Sequence, residues 1–236
     1  MTTLLPFREG TGDKGFDLRE LLELVRHGSA ELALSYTSAG KRSADLGLAE
    51  FYQNVLIPLL TEIGLLWQRG ELSVADEHLI SERIRELAVL HADAERVRNP
   101  VVAEDDRRWM GLCPPGEKHE LALNFHALAL RQAGWRTWYL GTQVPLADLL
   151  GAIEGVRPQV LAFSVSMSEC VEGLGLYARQ IRARFGASPA LIAGGRGLLR
   201  AEPSLVAAFD GVATSIIEGS TLAALLAGAR PPSSLP

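Results

Sequence analysis

Glu117 and His119 stand one residue apart, just after the apolar run Trp109-Met110-Gly111-Leu112-Cys113. The turn sequence Pro114-Pro115-Gly116 separates them from that run, and a helical pattern through Leu121, Leu123, Leu128 and Leu130 follows and stops at Gly134. The order is strand, turn, helix start, with a histidine where the strand ends. In an open α/β sheet the carboxyl ends of the strands face the crevice that binds ligands. A helix start carries partial positive charge and disfavours imidazolium. Neutral imidazole is the form that ligates a metal. Glu117 is placed to hold the other ring nitrogen and orient the ring. Read alone, a histidine here is more often a cap or an exposed side chain, so the rest of the chain has to decide.

A second group lies upstream. Trp67 closes one apolar helical pattern, and Glu77-His78 opens the next, with Val74 beside them. Glu77 falls on the stripe of Ile80, Ile84, Leu87 and His91, and a carboxylate on an apolar face needs a partner. Taken singly, Trp67 reads as core and Glu77-His78 as solvated first-turn residues. Flanking one turn, they can meet at one end of a helical bundle.

Together these residues carry a resemblance. Glu117-x-His119-x-x-Ala122 resembles the acidic-x-His-x-x-Gly signature of cobalamin-binding domains, and Trp67 followed after nine residues by Glu77-His78 resembles the pattern of CarH-like cobalamin photoreceptor modules. The likeness runs from about Asp17 onward. It implies that His119 is the lower axial ligand of cobalt, with Glu117 behind it. It implies that Trp67, Val74, Glu77 and His78 enclose the upper ligand. Ser164-Val165-Ser166 resembles a Ser-x-Leu motif, and Gly194-Gly195 a Gly-Gly motif, both beside the cofactor's nucleotide tail; Ser164, Ser166, Gly194 and Gly195 are the residues carried over. There are departures: Ala122 replaces the motif glycine, Ser166 a common leucine, and Gln68 a histidine found after the tryptophan in some relatives.

The implied function is a cobalamin-binding light sensor. Photolysis of the upper ligand of adenosylcobalamin, or another alkylcobalamin, would shift the helical cap and change oligomerisation or partner binding. The output would be a homo-oligomer or a separate effector, because no DNA-reading domain is expected in this chain. Photocobilins are a related variant, which adds biliverdin as a second chromophore. Two alternatives stand beside this reading: a corrinoid carrier subunit of a methyltransferase system, and a flavodoxin-like interaction module without cobalt.

The elements that must position these residues follow from periodicity. The 236 residues are 47% hydrophobic with a net charge of −5, enough for one or two sizeable cores and a poor match to a nucleic-acid backbone. Two distant cysteines, no signal peptide and no spanning run predict a cytoplasmic protein without disulfides or membrane contact. Residues 1–16 read as a disordered leader and 17–98 as a four-helix bundle cap. Its helices are expected over 17–27, 29–36 with Gly40 as a stop, 46–67 with a kink at Pro58 and a terminator at Gly70, and 73–98 capped by Ser73. Asn99 to Arg108 reads as a linker.

From 107 to 230 the pattern alternates. Strands at 109–113, 137–140, 160–164, 190–193 and 211–214 interleave with helices near 118–133, 146–155, 168–185, 200–208 and 219–227. That predicts a Rossmann-like five-stranded parallel sheet. The resemblance makes it flavodoxin-like, with the first strand central. His126 follows His119 on the same expected helix and reads, like His27 and His91, as structural; Trp135 and Trp138 read as packing.

Overall fold

The computed structural model describes residues 16–100 and 106–229. The chain divides into two compact units, Met1–Arg98 and Asn99–Pro236. Most of the expected leader, residues 1–15, and residues 101–105 of the expected linker lie outside the described residues. Phe16, assigned to the leader, is instead buried, with its ring near those of Tyr36 and Phe51. An aromatic ring that can reach an apolar face gains more there than in water.

The first unit is helical. Helix α1 (Leu18–His27) starts on Asp17, whose carboxylate accepts from the N–H groups of Arg19 and Glu20. Helix α2 (Ala30–Ser43) runs through Gly40 rather than stopping there. Glycine inside a helix costs about 1 kcal/mol, which the last turn recovers by pairing Lys41 with Glu95 at 2.8 Å. The chain turns at Asp45, whose φ is 49°.

Next come α3 (Leu48–Phe51), a π-helical turn (Tyr52–Leu56) and α4 (Ile57–Gln68) in continuous succession. Pro58 has no N–H for the carbonyl four residues back. The backbone widens just before it, with the Ile57 N–H reaching the Tyr52 carbonyl. The expected kink is thus a widened turn. Gly70, at φ 74°, ends α4: its N–H reaches the Trp67 carbonyl and the Glu71 N–H the Leu66 carbonyl.

Helix α5 (Val74–Arg98) opens with a reciprocal cap. The Asp76 N–H donates to Ser73 Oγ, and the Ser73 N–H to the Asp76 carboxylate. Phe51, Tyr52, Leu59, Ile63, Ile80 and Ile84 fill the core. His91 is buried with them, bonded to Thr37 Oγ1 at 2.8 Å, and burial lowers its pKa to about 4.

The second unit is a five-stranded parallel sheet in the order β2-β1-β3-β4-β5. The strands are β1 (Arg108–Leu112), β2 (Arg136–Gly141), β3 (Val160–Ser164), β4 (Ala190–Gly194) and β5 (Gly211–Ala213). β1 lies between β2 and β3, and β3 holds the middle. Successive residues point to opposite faces. Trp109, Val160 and Ile192 pack on one side with α6 (Leu121–Gln132) and α10 (Ile216–Ala229). Met110, Leu161 and Leu191 pack on the other with α7 (Leu146–Val156) and α8 (Val171–Phe185). A short α9 (Pro203–Val206) precedes β5. Among the described residues no helix is long and apolar enough to cross a membrane.

Two boundaries differ in ways that matter for the site. Helix α6 begins at Leu121, not at 118, because the N–H groups of Lys118 and His119 are taken by the Glu117 carboxylate at 2.9 Å each. His119 therefore lies in the loop before the helix that carries His126. Residues 168–170 form a 3-10 turn before α8 starts at Val171.

Candidate functional site

The loop after β1 is organised by one carboxylate. Glu117 is fully buried and accepts five hydrogen bonds. Oε1 takes the N–H groups of Lys118 and His119 and the ring Nδ1 of His119 at 2.6 Å. Oε2 takes the N–H groups of Ser166 at 2.6 Å and Met167 at 2.8 Å. Burial alone would raise the pKa of such a group, but these bonds outweigh it and hold the value down to about 2. The carboxylate is ionised, so the His119 nitrogen facing it, Nδ1, carries the proton. With a single proton on the ring, the lone pair sits on Nε2. The His119 side chain is 56% exposed.

The ends of β3 and β4 lie at the same edge of the sheet. Ser164 is buried at the last position of β3. Ser166 reaches the loop through its backbone, whose N–H is held by Glu117. Gly194 ends β4, and Gly195 follows at φ 107°. A Cβ on Gly195 would lie 2.1 Å from the Val165 carbonyl oxygen. Only glycine fits, and the close neighbour is the chain's own backbone. The carboxyl ends of β1, β3 and β4 are thus tied into one rim, with His119 on it. Sequence reasoning missed the link from Glu117 to Ser166 and Met167, because about fifty residues separate the partners and a backbone N–H leaves no trace in residue types.

In the helical unit the four upstream residues flank the turn between α4 and α5. Trp67 is 46% exposed and Val74 56% exposed. Glu77 Oε2 meets His78 Nδ1 at 2.6 Å, and Glu77 Oε1 accepts from Ser81 Oγ. These are the partners that a carboxylate on the apolar stripe needed. His78 is largely exposed.

Both units match known families. Residues 17–97 match one B12 binding domain model, and residues 107–226 match a second B12 binding domain model. The chain belongs to the B12-binding domain family. The chain is 38% identical over 124 residues to the HTH-type transcriptional repressor CarH of Myxococcus xanthus, which covers 51% of this chain and 38% of the repressor. It is 39% identical over 109 residues to the repressor CarA of the same organism, covering 46% of this chain and 34% of that protein. The chain thus spans well under half the length of these curated relatives, and it is a CarH-like B12-binding module. The solved structure of the Methanosarcina barkeri monomethylamine corrinoid protein covers 86% of this chain and 95% of its own, at a TM-score of 0.67 and 12% identity, a likeness of fold alone.

The rim fits a B12 cofactor. Among the described residues no group of three metal-ligating side chains forms. One imidazole cannot hold a bare ion, but a metal already seated in a macrocycle needs just one axial nitrogen from protein. A neutral ring oriented by a buried carboxylate is such a donor. Ala122, in place of the motif glycine, is half-buried in the first turn of α6.

Proposed function

We propose that this B12-binding module is a cobalamin-dependent light sensor, with His119 as the lower axial ligand through Nε2. The observation that carries it is the His119 Nδ1 to Glu117 contact at 2.6 Å on a carboxylate with no solvent exposure. A ring fixed in tautomer and direction before any metal arrives ligates with little reorganisation. Ser164, Ser166, Gly194 and Gly195 line the edge along which the nucleotide tail runs.

Cobalamin supplies a cobalt–carbon bond that visible light cleaves. The chain's own part is to hold the two sides of that bond differently. Glu117 and His119 form a fixed base. Trp67, Val74, Glu77 and His78 form the enclosure for the upper group, and its emptying favours a second arrangement of the helical unit, the usual form of a ligand-biased switch. The output is a change in self-association or in a separate effector's binding. The division expected at 17–98 and 107–230 gives each part its own unit.

The identities of 38% and 39% with two repressors favour a regulatory role over a methyl-carrying subunit, since the likeness to a corrinoid protein is one of fold at 12% identity. The test is to load the protein with adenosylcobalamin in the dark, then illuminate with green light. The expected result is a changed visible spectrum and a changed elution volume on size exclusion. An unchanged spectrum defeats the sensor reading, and methyl transfer from a partner protein to the bound corrinoid would favour the carrier. A red absorbance band after co-expression with a biliverdin source would add a bilin to the cofactor set.

A further inference from the structure

Five arginines crowd the end of the sheet opposite the His119 rim. The strands are parallel, so their amino ends lie together there. Arg107 precedes β1, Arg108 begins it, and Arg136 begins β2. Arg131 lies in the last turn of α6, and Arg157 caps the end of α7. Arg108 and Arg136 are register partners on adjacent strands. Like charges set directly opposite one another destabilise a sheet. Arg157 has a φ of 53° at the end of its helix, a place where glycine is favoured. The fold accepts both costs and keeps the charge.

Four of the guanidiniums are held in place. Arg108 Nε donates to the Arg157 carbonyl at 2.9 Å. Arg131 Nε and Nη2 donate to Thr137 Oγ1 at 3.2 and 3.1 Å. Arg107 lies over the Trp135 ring, 4.9 Å from its centroid, and Arg136 over the Trp138 ring at 5.6 Å. Asp106 opposes them, paired with Arg108 and Arg136. Glu154 and Asp210 pair with other arginines, Arg184 and Arg182. Counting Glu104 and Asp105 of the adjoining sequence against the bank still leaves an excess of positive charge. Arg131, Arg136 and Arg157 are exposed.

We propose that this arginine bank is a docking surface for a partner protein, which it grips by a short acidic segment. A guanidinium is a planar fork that can hold a carboxylate through two bonds at once. Fixing it beforehand on an indole, a hydroxyl or a carbonyl lowers the ordering cost of binding. Neighbouring strands lie about 4.8 Å apart, so the starts of β3, β1 and β2 present charge across about 10 Å. That is the reach of about three extended residues, enough for two or three carboxylates. A nucleic acid is a poorer match, because its charge continues past the bank onto a chain of net charge −5. The bank sits at the far end of the strands from the rim, so a partner bound there leaves His119 uncovered. The inference stands apart from the cobalamin reading and does not depend on it.

The test is fluorescence anisotropy with the full chain at about 0.02 M salt, where surface charge is little screened. The probes are dye-labelled, end-capped hexaglutamate, hexaglutamine and a single-stranded oligonucleotide of similar length. Wild-type protein is expected to bind hexaglutamate about tenfold or more tightly than either other probe, the size of two or three exposed ion pairs. The double variant Arg131→Glu, Arg136→Glu is expected to lose that preference. The control pair Arg42→Glu, Arg179→Glu makes the same change in net charge at exposed arginines elsewhere and is expected to retain it. Should the first pair fail to fold, Arg131→Gln with Arg136→Gln takes its place, with the same expected loss. Equal binding of hexaglutamate and hexaglutamine, or an equal loss in the control pair, overturns the docking surface. Tighter binding of the oligonucleotide overturns the acidic segment as its occupant.

Discussion

The two units each hold a Glu–His pair with the same geometry, an Oε to Nδ1 distance of 2.6 Å, and build it differently. Glu117 is sealed from solvent, and its oxygens answer four backbone N–H groups besides the imidazole. Glu77 is 29% exposed and His78 74% exposed, and Ser81 on the same helix also donates to Glu77. The first pair is fixed by two loops of the sheet unit; the second is held within one stretch of α5. A buried, multiply bonded carboxylate resists rearrangement, whereas an exposed pair is worth little and can re-partner at small cost. The difference suits a fixed base on one unit and a responsive contact on the other.

The sharpest way to break the comparison is His119→Ala against His78→Ala. The first should abolish the cobalt spectral change on cobalamin binding. The second should keep binding in the dark and alter the response to light, read from the spectrum before and after illumination. Equal effects would end the distinction.

Next is Glu117→Gln against Glu77→Gln. The Glu117 variant should lose roughly 10–100-fold in cobalamin affinity and about 3 kcal/mol of stability, since charge-assisted bonds from two loops are weakened together. The Glu77 variant should stay within about 0.5 kcal/mol of wild type. Urea unfolding and a cobalamin titration measure both.

Acid should separate the units by smaller steps. His91 in one unit and His126 in the other have folded values near 4, below the ordinary 6.5. Each contributes its full stability above pH 6.5 and loses it as pH falls from 6.5 toward 4, by about 3 kcal/mol at most. Glu117, depressed from 4.5 to about 2, adds a second loss to the sheet unit as pH falls from 4.5 toward 2. Hydrogen exchange read unit by unit should show the sheet amides weakening further below pH 4.5 than the bundle amides. A smaller effect than these acid losses is expected at Gly70, where φ is 74° and a Cβ would meet nothing within 4 Å. Gly70→Ala should cost about 1 kcal/mol through backbone strain alone, measured by thermal melting.

Much of this was legible in residue order. The alternation after Arg108 gave the parallel sheet, Gly70 and Ser73 marked the turn between α4 and α5, and Glu117-x-His119 marked the rim. What escaped shares a physical cause. The start of α6 moved because a side chain captured backbone N–H groups that periodicity assigns to a helix. Gly40 was passed over because Lys41 found Glu95, more than fifty residues away. Ser166 acts through its N–H, for which its side-chain type is no guide. Trp109 read only as part of a strand's apolar run and His126 as structural, because their lack of partners is visible only once neighbours are in place.

The widened turn at Tyr52–Leu56 has a consequence for aim. It behaves as one extra residue threaded into an otherwise regular spiral. Were all its residues wound at the regular pitch instead, everything downstream would swing by about 100° about its axis. Trp67, at the far end of α4, would then present its indole in another direction while keeping the same neighbours in sequence. The bearing of that ring is therefore written fifteen residues before it, in a local slip that leaves no mark on the ring's own surroundings.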